Sequence, residues 1–113
     1  MSVLVHAEIH GLAGYAAELR EIVREHAGEM ARAQGSLRAA ACEPIGAEAG
    51  ELLLEALWRD EEAMRAHYAT PEYARYTEQV EGLLARPSDV RIHYVERTVR
   101  PEPDLASDPT RQD

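Results

Sequence analysis

Phenylalanine, lysine and asparagine are missing from this chain of 113 residues. Without lysine, all 12 basic residues are arginines, and 21 acidic residues leave a formal net charge of −9. That balance argues against nucleic acid, whose phosphates need a basic face. It equally disfavours anionic membrane surfaces. Cys42 stands alone, so no disulfide can form within the chain, and a reducing, cytoplasmic setting is expected. Its alanine neighbours suggest a small packing residue. The N-terminus has neither a basic leader nor a long apolar run, so no signal peptide or membrane span is expected. No HExxH, no CxxC and no glycine-rich phosphate loop after a strand occurs. A metal centre or a dinucleotide cofactor is therefore not indicated. Without Phe, the aromatic surface rests on Trp58, Tyr15, Tyr68, Tyr73, Tyr76 and Tyr94.

What the chain does have is gathered between Glu55 and Tyr76. A strand from Leu52 to Trp58 turns at Asp60, a good helix cap whose carboxylate accepts from first-turn amides. Glu61 and Glu62 follow where the helix dipole favours negative charge. This helix carries His67 and Tyr68. Thr70-Pro71 restarts it, with Thr as cap and Pro where its missing N–H costs nothing. Tyr73 and Tyr76 come one turn later.

The other elements follow from periodicity. Val3 to His10 alternates as a strand, with Val3, Val5, Ala7 and Ile9 on one face and Leu4, His6, Glu8 and His10 on the other. Ala13 to Ala33 reads as a helix with an apolar stripe of Tyr15, Leu19, Ile22, His26 and Met30. Glu21–Arg24 and Glu29–Arg32 are spaced as ion pairs on it, and Gly35 suits its left-handed close. Leu37 to Glu43 is a second strand. The run Leu52-Leu53-Leu54 suggests a third strand central in the sheet and buried on both faces. Pro87-Ser88-Asp89 reads as a turn before a last strand, Val90 to Val99. One domain over 1–100 is expected, with a Pro- and Asp-rich tail over 101–113 that orders only by contact.

The order βαββαβ gives an α+β, ferredoxin-like fold. Its four-stranded antiparallel sheet has strands one and three central and helices on one face. The other face is half apolar: Leu4, Leu52 or Leu53, and Val95 or Ile92. A soluble monomer rarely exposes so much, and pairing two sheets would cover it.

Glu-x-x-Trp-x-Asp-x-x-Ala-x-x-x-His from Glu55 to His67, then Thr-Pro-x-Tyr from Thr70 to Tyr73, resembles the second half of the antibiotic biosynthesis monooxygenase domain family. Arg32-Ala33-Gln34-Gly35-Ser36-Leu37 resembles that family's junction between first helix and second strand. The resemblance covers roughly residues 3–99 and implies a dimeric α+β barrel. The haem-degrading relatives use an Asn on the first strand and a His on the later helix. This chain has no Asn, and no His follows Pro71, so haem chemistry is not expected.

Each candidate site residue has two readings. His67 occupies the family's His position and is the candidate catalytic base, or else a half-buried helix His bonded to a carbonyl. His26 could border a substrate or fill the core. Tyr73 and Tyr76 could line a pocket or simply pack. Trp58 suits both packing and a pocket wall. His6, Glu8, Glu55 and His93 could form a polar patch at a dimer interface. A metal there would need three strands to agree in face, and His6 and His10 are roughly 13 Å apart at about 3.3 Å per residue.

The leading expectation is a cofactor-independent monooxygenase. It would oxidise a polyphenolic or quinol-type aromatic with O2, and would need an open cavity reaching His67. The rival is a non-catalytic, dimeric ligand-binding or accessory protein.

Overall fold

The structure is a computed structural model and describes residues 1–101. β1 (Ser2–Gly11) leads through a short 3-10 turn into α1 (Ala16–Ala31), then β2 (Ser36–Cys42) and β3 (Glu51–Trp58). Next come α2 (Glu61–Tyr68), α3 (Pro71–Val80), a second 3-10 turn and β4 (Leu84–Val95). The four strands lie in the order β2-β3-β1-β4, and every pairing is antiparallel. This is the expected ferredoxin-like α+β sheet with β1 and β3 central. The tail expected over 101–113 lies outside the described residues, apart from Pro101.

The alternation in β1 and β3 decides where the core sits. Val3, Val5, Ala7 and Ile9 are buried with Leu52, Leu54, Ala56 and Trp58 under the helices. Leu19, Val23, Ala27 and Met30 of α1 meet them from above. Each such aliphatic side chain contributes about 1.5–3 kcal/mol by leaving water. β3 is central, but it alternates rather than being buried on both faces. Leu53 and Leu57 are half-buried on the outer face, beside Leu4, and Val95 shares that face. Leu52 and Ile92 turn inward.

The caps form as the sequence suggests. Asp60 accepts from the Ala63 amide at 2.8 Å. Thr70 accepts from the Tyr73 amide at 3.2 Å, and its hydroxyl donates to the His67 carbonyl at 2.7 Å. Gly35 has φ +85°, and a Cβ there would collide with Ala63.

Four further expectations need correction. Tyr15 belongs to the 3-10 turn and is 48% exposed, so the α1 stripe runs through Val23 and Ala27 instead. Glu29 pairs with Arg75 at 2.8 Å rather than with Arg32; Glu21–Arg24 forms, at 2.7 Å. Cys42 is exposed on edge strand β2, not packed. Finally, Pro87-Ser88-Asp89 is no turn. β4 starts at Leu84, passes through Pro87 and ends at Val95. An edge strand tolerates Pro because one row of its amides has no partner to lose. Register shifts between Glu8 and His10 and between His10 and Gly11 absorb the irregularity.

Candidate functional site

Helices cover only part of the inner face of the sheet. α1 packs on β2 and β3, and α3 packs on α1. The inner face of edge strand β4 is left open, so Val90 and Ile92 stay 52% and 42% exposed. Between them and the helices lies a cavity of about 780 Å³. That is the size of a small-molecule site. Its floor is Val5, Ala7, Ile9, Leu54 and Ala56. One wall is His26, Met30, Tyr68, Tyr73, Tyr76, Thr77 and Val80; the other is Leu84, Pro87, Ser88, Val90 and Ile92. Glu78 and Glu81 also line it, and no lysine or arginine does.

The break between α2 and α3 shapes the aromatic wall. A continuous helix would carry Tyr68 and Tyr73 apart at 100° per residue; the restart at Thr70 brings them edge to face, with ring centroids 4.8 Å apart. Behind them, rings run inward from the cavity. Tyr76 stacks on His26 at 3.8 Å and 7°. The His26 ring lies 5.4 Å from His67, and His67 lies 5.1 Å from Trp58.

All five residues singled out in the sequence therefore share one cluster. His26, Tyr73 and Tyr76 border the cavity. His67 and Trp58 do not; they stand one and two rings deeper. The opening reaches His26 rather than His67. Tyr68 joins the cavity wall, and its position between His67 and Thr70 was a usable signal. The β4 residues of the wall carried none, because Pro87 reads as a turn.

Burial sets the electrostatics of the cluster. It lowers His26 from 6.5 to about 4, with the neighbouring His67 adding to the effect. Burial also lowers His67, against the pull of Glu29 and Glu72. Both imidazoles are thus neutral at pH 7. Tyr68 and Tyr76 are pushed up to about 12, chiefly by burial, and so remain phenols. His26 Nδ1, His67 Nε2 and Trp58 Nε1 are buried without hydrogen-bond partners. Such atoms cost about 1–3 kcal/mol each, so this corner is polar chemistry held within an apolar wall.

The outer-face patch is a different arrangement. His6 Nδ1 lies 2.9 Å from Glu55, and Arg38 reaches the same carboxylate at 3.4 Å. The register sets His93 beside Leu4 and Glu8 beside Asp89. Among the described residues no group of three or more His, Cys, Asp or Glu is placed to hold a metal ion. No helix among them is long and apolar enough to cross a membrane.

A family model matches the sequence from β1 to near the end of α3. The antibiotic biosynthesis monooxygenase model covers residues 2–79. The chain belongs to this family. Solved structures agree in fold. A Deinococcus radiodurans protein is 20% identical with a TM-score of 0.81, covering 88% of this chain and 98% of its own. Rv0793 from Mycobacterium tuberculosis is 24% identical with a TM-score of 0.80, over 88% and 100%. SnoaB from Streptomyces nogalater, described as a cofactor-independent oxygenase, is 19% identical with a TM-score of 0.74, over 87% and 96%. No curated protein sequence matches the chain.

Proposed function

We propose that this member of the family is a cofactor-independent monooxygenase that oxidises a flat, electron-rich phenol or quinol with O2. The observation that carries this reading is the cavity itself: about 780 Å³, apolar on the floor, tyrosine-walled, with an imidazole at its inner end. Family membership and the oxygenase SnoaB among its structural neighbours support it.

The chemistry asks little of the protein. A base removes a proton, and the resulting anion passes an electron to O2. The radical pair joins as a hydroperoxide, and loss of water leaves a quinone carbonyl. Overall, the phenol's O–H and ring C–H (or the ring CH2 of its keto tautomer) and O2 become the quinone and H2O. The protein must hold the ring flat, exclude water and accept the proton. Tyr68, Tyr73 and Tyr76 would form the aromatic walls, with Trp58 supporting them from behind. His26, which meets the cavity, would take the proton, with the His67 ring packed behind it at 5.4 Å. The half-apolar outer face, with Leu4, Leu53 and Leu57, would be covered in a homodimer.

The test is oxygen uptake and quinone formation with anthrone or a dihydroxynaphthalene. Val90→Trp, which fills the cavity from its rim, should abolish turnover and leave circular dichroism unchanged. Turnover undiminished in that variant would rule out the cavity as the site. One observation favours a second reading, a ligand-binding protein without turnover: a histidine held near 4 accepts a hydrogen bond but keeps a proton weakly. Tight binding of the same aromatics with no oxygen consumed would establish it.

A further inference from the structure

His26 is more than the inner end of the cavity wall. Of its two ring nitrogens, only Nδ1 is sealed off without a partner. That leaves Nε2 as the nitrogen that meets the cavity. Nδ1 faces the Glu29 carboxylate, with Oε1 at 3.8 Å. This is beyond hydrogen-bond range but within one small side-chain rotation of it. The other oxygen of Glu29 is fixed, since Oε2 accepts from Arg75 Nη2 at 2.8 Å. Arg75 lies on α3, next to Tyr76, whose ring stacks on His26. A carboxylate on α1, held by a guanidinium on α3, therefore stands beside the buried nitrogen of the imidazole.

The geometry points to an Arg75–Glu29–His26 assembly as the proton acceptor of this cavity, with Nε2 of His26 taking a phenolic proton and Glu29 closing on Nδ1–H. Arg75 and Glu29 are positioning residues; neither borders the cavity. The step is a proton transfer only: the phenol O–H bond breaks, an Nε2–H bond forms, and the imidazolium lies between phenolate and carboxylate. That placement answers the main objection to His26 as a base. The empty site keeps the ring neutral by desolvation, and the two flanking anions supply the missing charge once a ligand is bound. The other titratable groups facing His26 are His67, Tyr73 and Tyr76. All three are neutral near pH 7, so none substitutes for Glu29. Glu78 and Glu81 add that the cavity admits a neutral phenol more readily than a carboxylate- or phosphate-bearing one.

This rests on the cavity being a phenol site, and one titration separates the two ideas. The probe is 4-nitro-1-naphthol, a flat phenol whose phenolate is coloured. Wild-type protein should bind it and raise its phenolate-to-phenol ratio at a given pH about tenfold, the usual effect of one nearby positive charge. His26→Asn should abolish the rise. Glu29→Gln keeps an acceptor for Arg75 but carries no charge, and should reduce the rise severalfold without loss of binding. Arg75→Met should do the same by freeing Glu29. Arg75 is exposed and Glu29 half-buried, and both lie outside the core cluster, so these variants report even if His26→Asn does not fold. Binding that Val90→Trp blocks, with ionisation equal in wild type, Glu29→Gln and Arg75→Met, would overturn the assembly and leave the phenol site standing. No binding, or binding indifferent to Val90→Trp, would overturn both.

Discussion

At the scale of single residues, His26 has a measurable effect on stability. Its value is 6.5 in an unfolded chain and about 4 in the fold, so the unfolded chain binds more protons between those limits. Stability is therefore fully present above about pH 6.5 and falls as the pH drops towards 4. The loss is about 3 kcal/mol at its limit, by linkage. Urea unfolding of the wild type should show this acid slope, and His26→Leu should flatten it. An unchanged slope in the variant would assign the acid sensitivity to another group. Three ring nitrogens in this corner, of His26, His67 and Trp58, are buried without hydrogen-bond partners.

At the scale of elements, the helix ends were legible and the last strand was not. Asp60 and Thr70-Pro71 announced themselves because a cap is a local event: one side chain, one amide three residues on. Asp60→Ala should cost about 1 kcal/mol, read as a lower Tm at pH 7. The depressed carboxyl, held down mainly by the Ala63 amide, means the cap is an ionised one. The β1 alternation was equally local and gave both faces correctly. Pro87 misled because a proline's tolerance depends on whether its strand is an edge, which is a property of the sheet. Glu29 misled for the same reason. Arg32 is three residues away along the helix, but Arg75 on α3 is the partner it meets. The five residues singled out were close in space because four of them lie on one restarted helix and the strand before it. That the cavity opens on His26, with His67 behind, depends on how α1 packs, and no spacing in the sequence encodes it.

At the scale of the whole molecule, one sheet face is finished and the other is not. The helical face buries its core. The outer face carries half-buried Leu4, Leu53 and Leu57 among the His6–Glu55–Arg38 contacts. Covering it with a second copy predicts a particle of twice 12.6 kDa by light scattering at micromolar concentration. Leu53→Glu should shift that particle to a monomer with its helical content intact. A wild-type monomer at those concentrations would remove the barrel from consideration.

The cavity is built from two kinds of wall, and they will age differently under mutation. The floor residues Val5, Ala7, Ile9 and Leu54 belong to the core, so any change there is tried first against folding. The rim on β4 is held by an irregular edge strand that already accommodates a proline and register shifts. Substitutions at Ser88, Val90 or Ile92 are screened only by what enters the cavity. Substitutions along that one strand should therefore reshape the cavity while leaving the aromatic cluster around His26 and the fold beneath it in place.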